Sequence, residues 1–180
     1  VEGGIKEQTR QSLTNAQILA WNAAANTAQG KSVLGTKAKI SGANLFMRLN
    51  YWVVYCGGNI METPPTLTGV EAPAAATVVI SSSAMTFTLA DIPSDVTNLK
   101  LVIQASEPQG NGITRAYSKA AAFADPYTPV ATAIDIKSAY DNKCGAPSAG
   151  APKVFFKYFY VNTATGEKSG DILVEGKLSS

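Results

Sequence analysis

The side-chain inventory bounds the chemistry first. The chain of 180 residues contains no histidine. This removes Ser-His-Asp and Cys-His nucleophile pairs, imidazole general acid–base catalysis near neutral pH, and the usual His-containing zinc sites. Two cysteines, Cys56 and Cys144, stand far apart with no CxxC or metal-ligand spacing. They read as two thiols that behave as small hydrophobes, the alternative being one disulfide between the N- and C-terminal parts. Carboxylates could still act in pairs, as glycosidases require. Here Glu62, Glu71, Asp91, Asp95, Glu107, Asp125, Asp135, Asp141, Glu167, Asp171 and Glu175 are scattered singly, mostly beside turns. No DxDxDG-like calcium loop occurs. The expectation is no catalytic residue, no cofactor and no metal, hence a non-enzymatic protein.

Contact chemistry is better represented. The run Val154–Val161 carries Phe155, Phe156, Tyr158, Phe159 and Tyr160, with aromatics on both faces. It reads as a central strand with one face in a core. The alternative is an exposed aromatic platform for sugar stacking or subunit contact, for which Tyr158 and Tyr160, sharing one face, are the candidates. Gln109-Gly110-Asn111-Gly112 lacks any phosphate-cradle spacing and reads as a loop tip, with Asn111 a candidate contact residue. Net charge is only +2 and no basic stripe exists, so no nucleic-acid partner is expected. No stretch of about 18 apolar residues occurs, so no membrane partner is expected. No signal peptide is visible after Val1.

These residues need elements to position them. Thr14 and Gln17 form a capping box, with Leu13 and Ile18 placed for a hydrophobic staple. The spacing predicts a helix over Asn15–Asn26 that presents Ile18, Trp21 and Ala25 on one face and stops by Gly30. A linker with Lys31, Gly35, Lys37 and Lys39 follows. A second helix is predicted from a Ser41 cap to the Gly57-Gly58 pair, with Leu45, Leu49, Trp52 and Cys56 as its apolar stripe and Phe46 and Val53 widening it. Residues 1–11 read as a polar arm. The prolines at 64, 65 and 73 end helical character, placing a boundary between an arm-plus-two-helix region (1–62) and a β-rich region (63–180). There, strands are predicted at 77–81, 85–89, 99–105, within 113–123 and 130–140, and at 153–161 and 171–178. The last two flank a hairpin connection ending at Gly166. About seven strands in antiparallel sheets, with no helical crossovers after residue 75, suit an immunoglobulin-like β-sandwich. The fold class is therefore mainly β with a small α N-terminal part. Charged residues are 16%, against about 25% typically. Such a surface suits a protein packed against copies or partners.

Two segments carry a resemblance. Leu13-Thr14-Asn15-Ala16-Gln17-Ile18-Leu19-Ala20-Trp21-Asn22 and Ser41-Gly42-Ala43-Asn44-Leu45-Phe46-Met47-Arg48-Leu49-Asn50, followed by a Pro-rich link, resemble virion-associated proteins of tailed bacteriophages, in which LTxxQxxAW and SGxNLFxxLN helices precede a β-rich half. The C-terminal half resembles an immunoglobulin or fibronectin type III module. The resemblance implies a structural component of a virion: a capsid decoration, head-fibre or tail-associated protein. Its partners would be other virion proteins or copies of itself. Ile18, Trp21, Phe46 and Trp52 are the candidate contact residues of the helical part. Ile18 departs from the pattern, which has a basic residue there, and makes the first helix more apolar. The alternative is an extracellular or cell-surface module that binds a host-surface glycan through Asn111, Tyr158 and Tyr160.

Overall fold

A computed structural model describes residues 11–31 and 37–179. The expected arm over 1–11 lies, except for Gln11, outside the described residues, as does the linker between Lys31 and Lys37. By internal contacts the chain forms two compact units. Unit 1 is the chain up to Gly69 together with Asn162–Glu167, and unit 2 is Val70–Val161 with Lys168–Ser180. The division falls at 69/70 rather than at the expected 62/63. The reason is the hydrogen bonding of the 162–167 turn. The Glu167 carboxylate accepts from the amides of Thr68 and Gly69 at 3.2 and 3.0 Å, which ties the proline link to that turn.

In unit 1, helix α1 (Asn15–Thr27) starts where the sequence predicts. The Thr14 hydroxyl accepts from the Gln17 amide, and the Thr14 amide donates to Gln17 Oε1 at 2.8 Å. These bonds satisfy donors that the first helical turn would leave unpaired. The staple is not formed as expected, because Leu13 is buried while Ile18 stays 41% exposed. The linker ends pair as a short antiparallel hairpin, β1 (Gln29–Lys31) with β2 (Lys37–Lys39), which the sequence reading missed.

Helix α2 (Gly42–Tyr55) is capped by Ser41, whose hydroxyl accepts from the Asn44 amide. At its end Gly58 N–H donates to Val53 O and Gly57 N–H to Val54 O, with Gly57 at φ +82°. This is the Schellman arrangement, and it needs a residue free to be left-handed. The buried stripe is Leu45, Phe46, Leu49 and Val53, whereas Trp52 and Cys56 are half-buried, one step round from the predicted face. Leu45, Phe46 and Leu49 pack with Leu13, Trp21 and Ala25 into one cluster, in which the Trp21 and Phe46 rings meet edge to face at 5.2 Å. Helices of this length are marginal alone, so this shared burial stabilises both.

Unit 2 is β-rich and antiparallel. Among the described residues, strands β3 (Ala76–Ile80), β4 (Met85–Leu89) and β7 (Ile134–Asp135) form one sheet in the order β3-β4-β7. Strands β5 (Leu99–Ala105), β6 (Ala121–Ala122), β8 (Lys153–Asn162) and β9 (Ile172–Lys177) form a second in the order β6-β5-β8-β9. A single parallel bridge joins Ile80 to Leu178. Period-two alternation sends Phe87 and Leu89, Leu101 and Ile103, and Phe156 and Tyr158 into one core shared by both sheets. Part of the 130–140 stretch forms its expected strand, β7, and from Lys137 the chain turns into helix α3 (Lys137–Cys144), which the sequence reading missed. The Asp135 carboxylate accepts from the Lys137 amide, Lys137 pairs with Asp141 one turn on at 2.7 Å, and Gly145 at φ +84° ends it. Its Tyr140, fully buried, lies against Phe123 and Phe156 and donates to Ser106 O at 2.8 Å.

Two outcomes follow from this packing. Gly166 has φ +71°, and a Cβ there would run into the backbone of Leu49. Gly166→Ala should lower stability by more than about 2 kcal/mol, seen as an earlier urea midpoint. Burial raises the hydroxyl pKa of Tyr140, Tyr158 and Tyr160, in the last case to about 12. The folded chain thus holds protons that the unfolded chain releases near pH 10. Stability should be intact up to about pH 10 and fall as pH rises towards about 12, measured as urea midpoints across that range.

Candidate functional site

Each predicted contact residue has a definite place. Trp21 and Phe46 are 2% and 1% exposed and are brought together in the unit 1 core. Trp52 is half-buried beside Tyr51 and Tyr55, ring centroids 4.9 and 5.7 Å away. Ile18 and Asn111 are exposed. The platform alternative for Tyr158 and Tyr160 is corrected: both rings lie in the unit 2 core, 0% and 3% exposed. Their shared face is the inner one, because the β3-β4-β7 sheet packs over it. Tyr158 meets Phe87 edge to face at 5.0 Å.

The polar tips of these tyrosines fare differently. Tyr158 Oη donates to Ala74 O at 3.0 Å. Tyr160 Oη is buried and has no hydrogen-bond partner among the described residues. A buried hydroxyl left unpaired costs about 1–3 kcal/mol, so its surroundings matter. Tyr160 forms part of the wall of a half-open cavity of about 300 Å³. Three pieces of unit 2 build this cavity: the segment leading into β3, which brings Glu71 and Ala74, the β4–β5 loop from Asp91 to Asp95, and Leu99 at the start of β5. Burial chiefly, then neighbouring Tyr158 and last the negative charge of Asp91, pushes the Tyr160 hydroxyl up to about 12. It therefore stays neutral and protonated across the physiological range.

The β4–β5 loop is held by its own acids. Asp91 Oδ1 accepts from the Ile92 amide at 2.8 Å. Asp95 accepts from the amides of Asn98 and Thr97 and from the Asn98 side chain. The Asn98 backbone bond leads in holding this carboxyl below its usual range. Glu71 makes no hydrogen bond to the protein among the described residues. The cavity thus has an apolar wall (Ile92, Leu99 and the Tyr160 ring), three carboxylates around it, and no basic lining residue. The sequence shows these acids only as isolated turn residues. The acidic pair either side of Pro93 in Asp91-Ile92-Pro93-Ser94-Asp95 is the one visible signal.

Elsewhere the chemistry is sparse. Among the described residues no group of three or more Cys, Asp or Glu side chains is placed to hold a metal ion. Cys144 is half-buried, and burial raises its thiol pKa, the reverse of what a reactive thiolate needs. No helix among the described residues is long and apolar enough to cross a membrane. Comparison of the chain with protein-family models, with curated proteins and with solved structures finds no match.

The three buried tyrosines make a test of this accounting. Tyr140→Phe and Tyr158→Phe each strip a donor from a backbone carbonyl and should cost about 1 kcal/mol. Tyr160→Phe removes a hydroxyl without a protein partner and should be neutral or stabilising in the same urea series.

Proposed function

We propose that this chain is a non-enzymatic structural component of a tailed-bacteriophage particle, of the capsid-decoration, head-fibre or tail-associated kind, acting through protein–protein contacts. Unit 2 would be its immunoglobulin- or fibronectin type III-like module. Counted from Ala76, strands one, two and five share one sheet and three, four, six and seven the other. The chain therefore changes sheet repeatedly, as Greek-key sandwiches do.

The observation that carries the reading is the outer face of α1. The helix contains no charged residue in 13 positions, and it exposes Ile18 at 41% and Leu19 at 67% alongside Ala16 and Ala23. A surface helix ordinarily carries charge on its outer face. An uncharged face that sets Ile18 and Leu19 among exposed Asn15, Asn22 and Asn26, and that persists after Trp21 and Ala25 are buried, suits a helix that is covered on assembly. The LTxxQxxAW and SGxNLFxxLN resemblance supplies the class of assembly. Sugar stacking on Tyr158 and Tyr160 loses its basis because both rings are internal.

The chain should be found in stoichiometric amounts with the major proteins of purified particles by quantitative mass spectrometry. A variant carrying Ile18→Glu and Leu19→Glu should keep its far-UV circular dichroism yet be lost from particles. Point changes are preferable to deleting residues 1–62, because the deletion would strip the 162–167 turn of its partner helix. A soluble monomer absent from particles sinks the proposal.

A further inference from the structure

We infer that Asn111-Gly112, at the tip of the 109–113 loop, is a self-modification site, where water converts the Asn111 amide to a mixture of aspartate and isoaspartate. The case begins in the sequence. Of the ten asparagines only Asn111 precedes a glycine, and each of the others precedes a residue whose side chain crowds the next backbone nitrogen. The structure supplies the rest. Lys153 holds both ends of the loop: Gln109 exchanges backbone bonds with it at 2.8 and 3.0 Å, and its ammonium donates to Ile113 O at 3.2 Å. The Ile113 amide closes the tip by donating to Gly110 O at 3.0 Å. Between these ties Asn111 and Gly112 are both exposed, as loop tips of small polar residues are. Neither the Asn111 side chain nor the Gly112 N–H has a hydrogen-bond partner among the described residues. Other asparagine side chains are committed: Asn50 accepts from the Met61 amide, Asn98 donates to Asp95, and Asn162 accepts from the amides of Ala164 and Thr165.

The Gly112 nitrogen gives its proton to base and attacks Asn111 Cγ. The new N–Cγ bond closes a succinimide ring as the Cγ–Nδ2 bond breaks and ammonia leaves. Water then adds to one of the two ring carbonyls. Opening at Cγ gives aspartate. Opening at the main-chain carbonyl carbon of Asn111 gives isoaspartate, in which the chain runs through the former side chain. One water enters and one ammonia departs, with no change of oxidation state. The product differs in contact chemistry. An amide that both donates and accepts becomes a carboxylate that only accepts and is ionised above about pH 4. The formal charge of +2 falls by one. Asn111 borders an open cavity of about 530 Å³ that Lys177 and Ser179 also line, so the new charge falls on the same wall as a lysine. A partner that grips the Asn111 amide loses a donor and meets a charge. The loop tip thus changes what it can bind as the protein ages.

The test keeps the full folded chain in heavy-oxygen water, at neutral and at mildly alkaline pH, and samples it over days. Peptide mass spectrometry reads each asparagine, and methyl transfer by an isoaspartyl methyltransferase counts isoaspartate. The peptide that contains Asn111 should convert before any other. It should do so faster at the higher pH, because the attacking nitrogen must lose its proton. Each conversion should fix one heavy oxygen, isoaspartate should accompany aspartate, and the converted chain should focus at a lower pH. Gly112→Ala is the control. Gly112 has no positive φ and a Cβ there meets nothing within 4 Å, so the variant should keep its far-UV circular dichroism yet lose most of the conversion. Four results overturn the inference. Asn111 stays intact in the folded chain, whether or not the urea-unfolded chain converts. Other asparagines convert first. Gly112→Ala converts equally. Aspartate forms without isoaspartate, the mark of direct hydrolysis that bypasses the ring.

Discussion

Unit 2 depends on the contact of Phe87 with Tyr158 and Phe156. Phe87 projects from the β3-β4-β7 sheet, and the other two from β8 in the opposing sheet, with ring centroids 5.0 and 6.3 Å away. A sheet gains little from hydrogen bonds alone, because water offers the same bonds to the unfolded chain. What holds the two sheets is the apolar area they remove from water between them, about 1.5–3 kcal/mol for each large side chain. β8 contributes Val154, Phe156, Tyr158 and Tyr160, which all point into the shared core. Its opposite face is buried too: Phe155 packs edge to face on Tyr117, and Lys168 sits 4.0 Å over the Phe159 ring. A strand dry on both faces cannot alternate apolar with polar, which is why seven of its ten residues are aromatic or valine.

Burial on this scale obliges each unit to satisfy its interior polar groups. Asn50, fully buried in α2, accepts from the Met61 amide at 2.6 Å and donates to the carbonyls of Phe46 and Met61. One side chain thereby folds the segment after α2 back along the helix. The Trp21 indole does similar work by donating to Glu62 O at 2.8 Å. In unit 2, Ser106 accepts from the Phe155 amide and Ser169 from the Tyr160 amide, so each replaces a backbone partner beside β8. Against this background Tyr160 Oη stands out together with Gln104 Oε1 and Asp141 Oδ1, since burying a polar group without a partner is what such networks avoid.

Tyrosine pairs an apolar ring with a polar tip, and at Tyr160 both are internal: the ring belongs to the core and the hydroxyl is buried without a partner among the described residues. The proposed assembly role places function in contacts between polypeptides, at the uncharged outer face of α1 in unit 1.

Some of this was legible in the sequence because its causes are local. The Thr14–Gln17 capping box, the Ser41 cap and the Gly57-Gly58 stop each depend on bonds within a few residues. Strands β4 and β5 coincide with their predicted spans, since alternation over five to seven residues is itself the signal. That Tyr158 and Tyr160 share a face was determined by parity along a strand. Which face is inside was not, because that depends on a sheet built from residues 76–89 closing over it. Helix α3 was missed because its eight residues carry little apolar periodicity and are anchored by one residue, Tyr140, bonded to Ser106 34 positions away. The joining of Asn162–Glu167 to unit 1, and the gathering of Glu71, Asp91 and Asp95 with Tyr160 around one cavity, were likewise decided only by tertiary structure. Caps, turns and strand periods follow from the geometry of neighbouring residues. A cavity is made of the surfaces left over when distant segments have packed, and no local pattern encodes it.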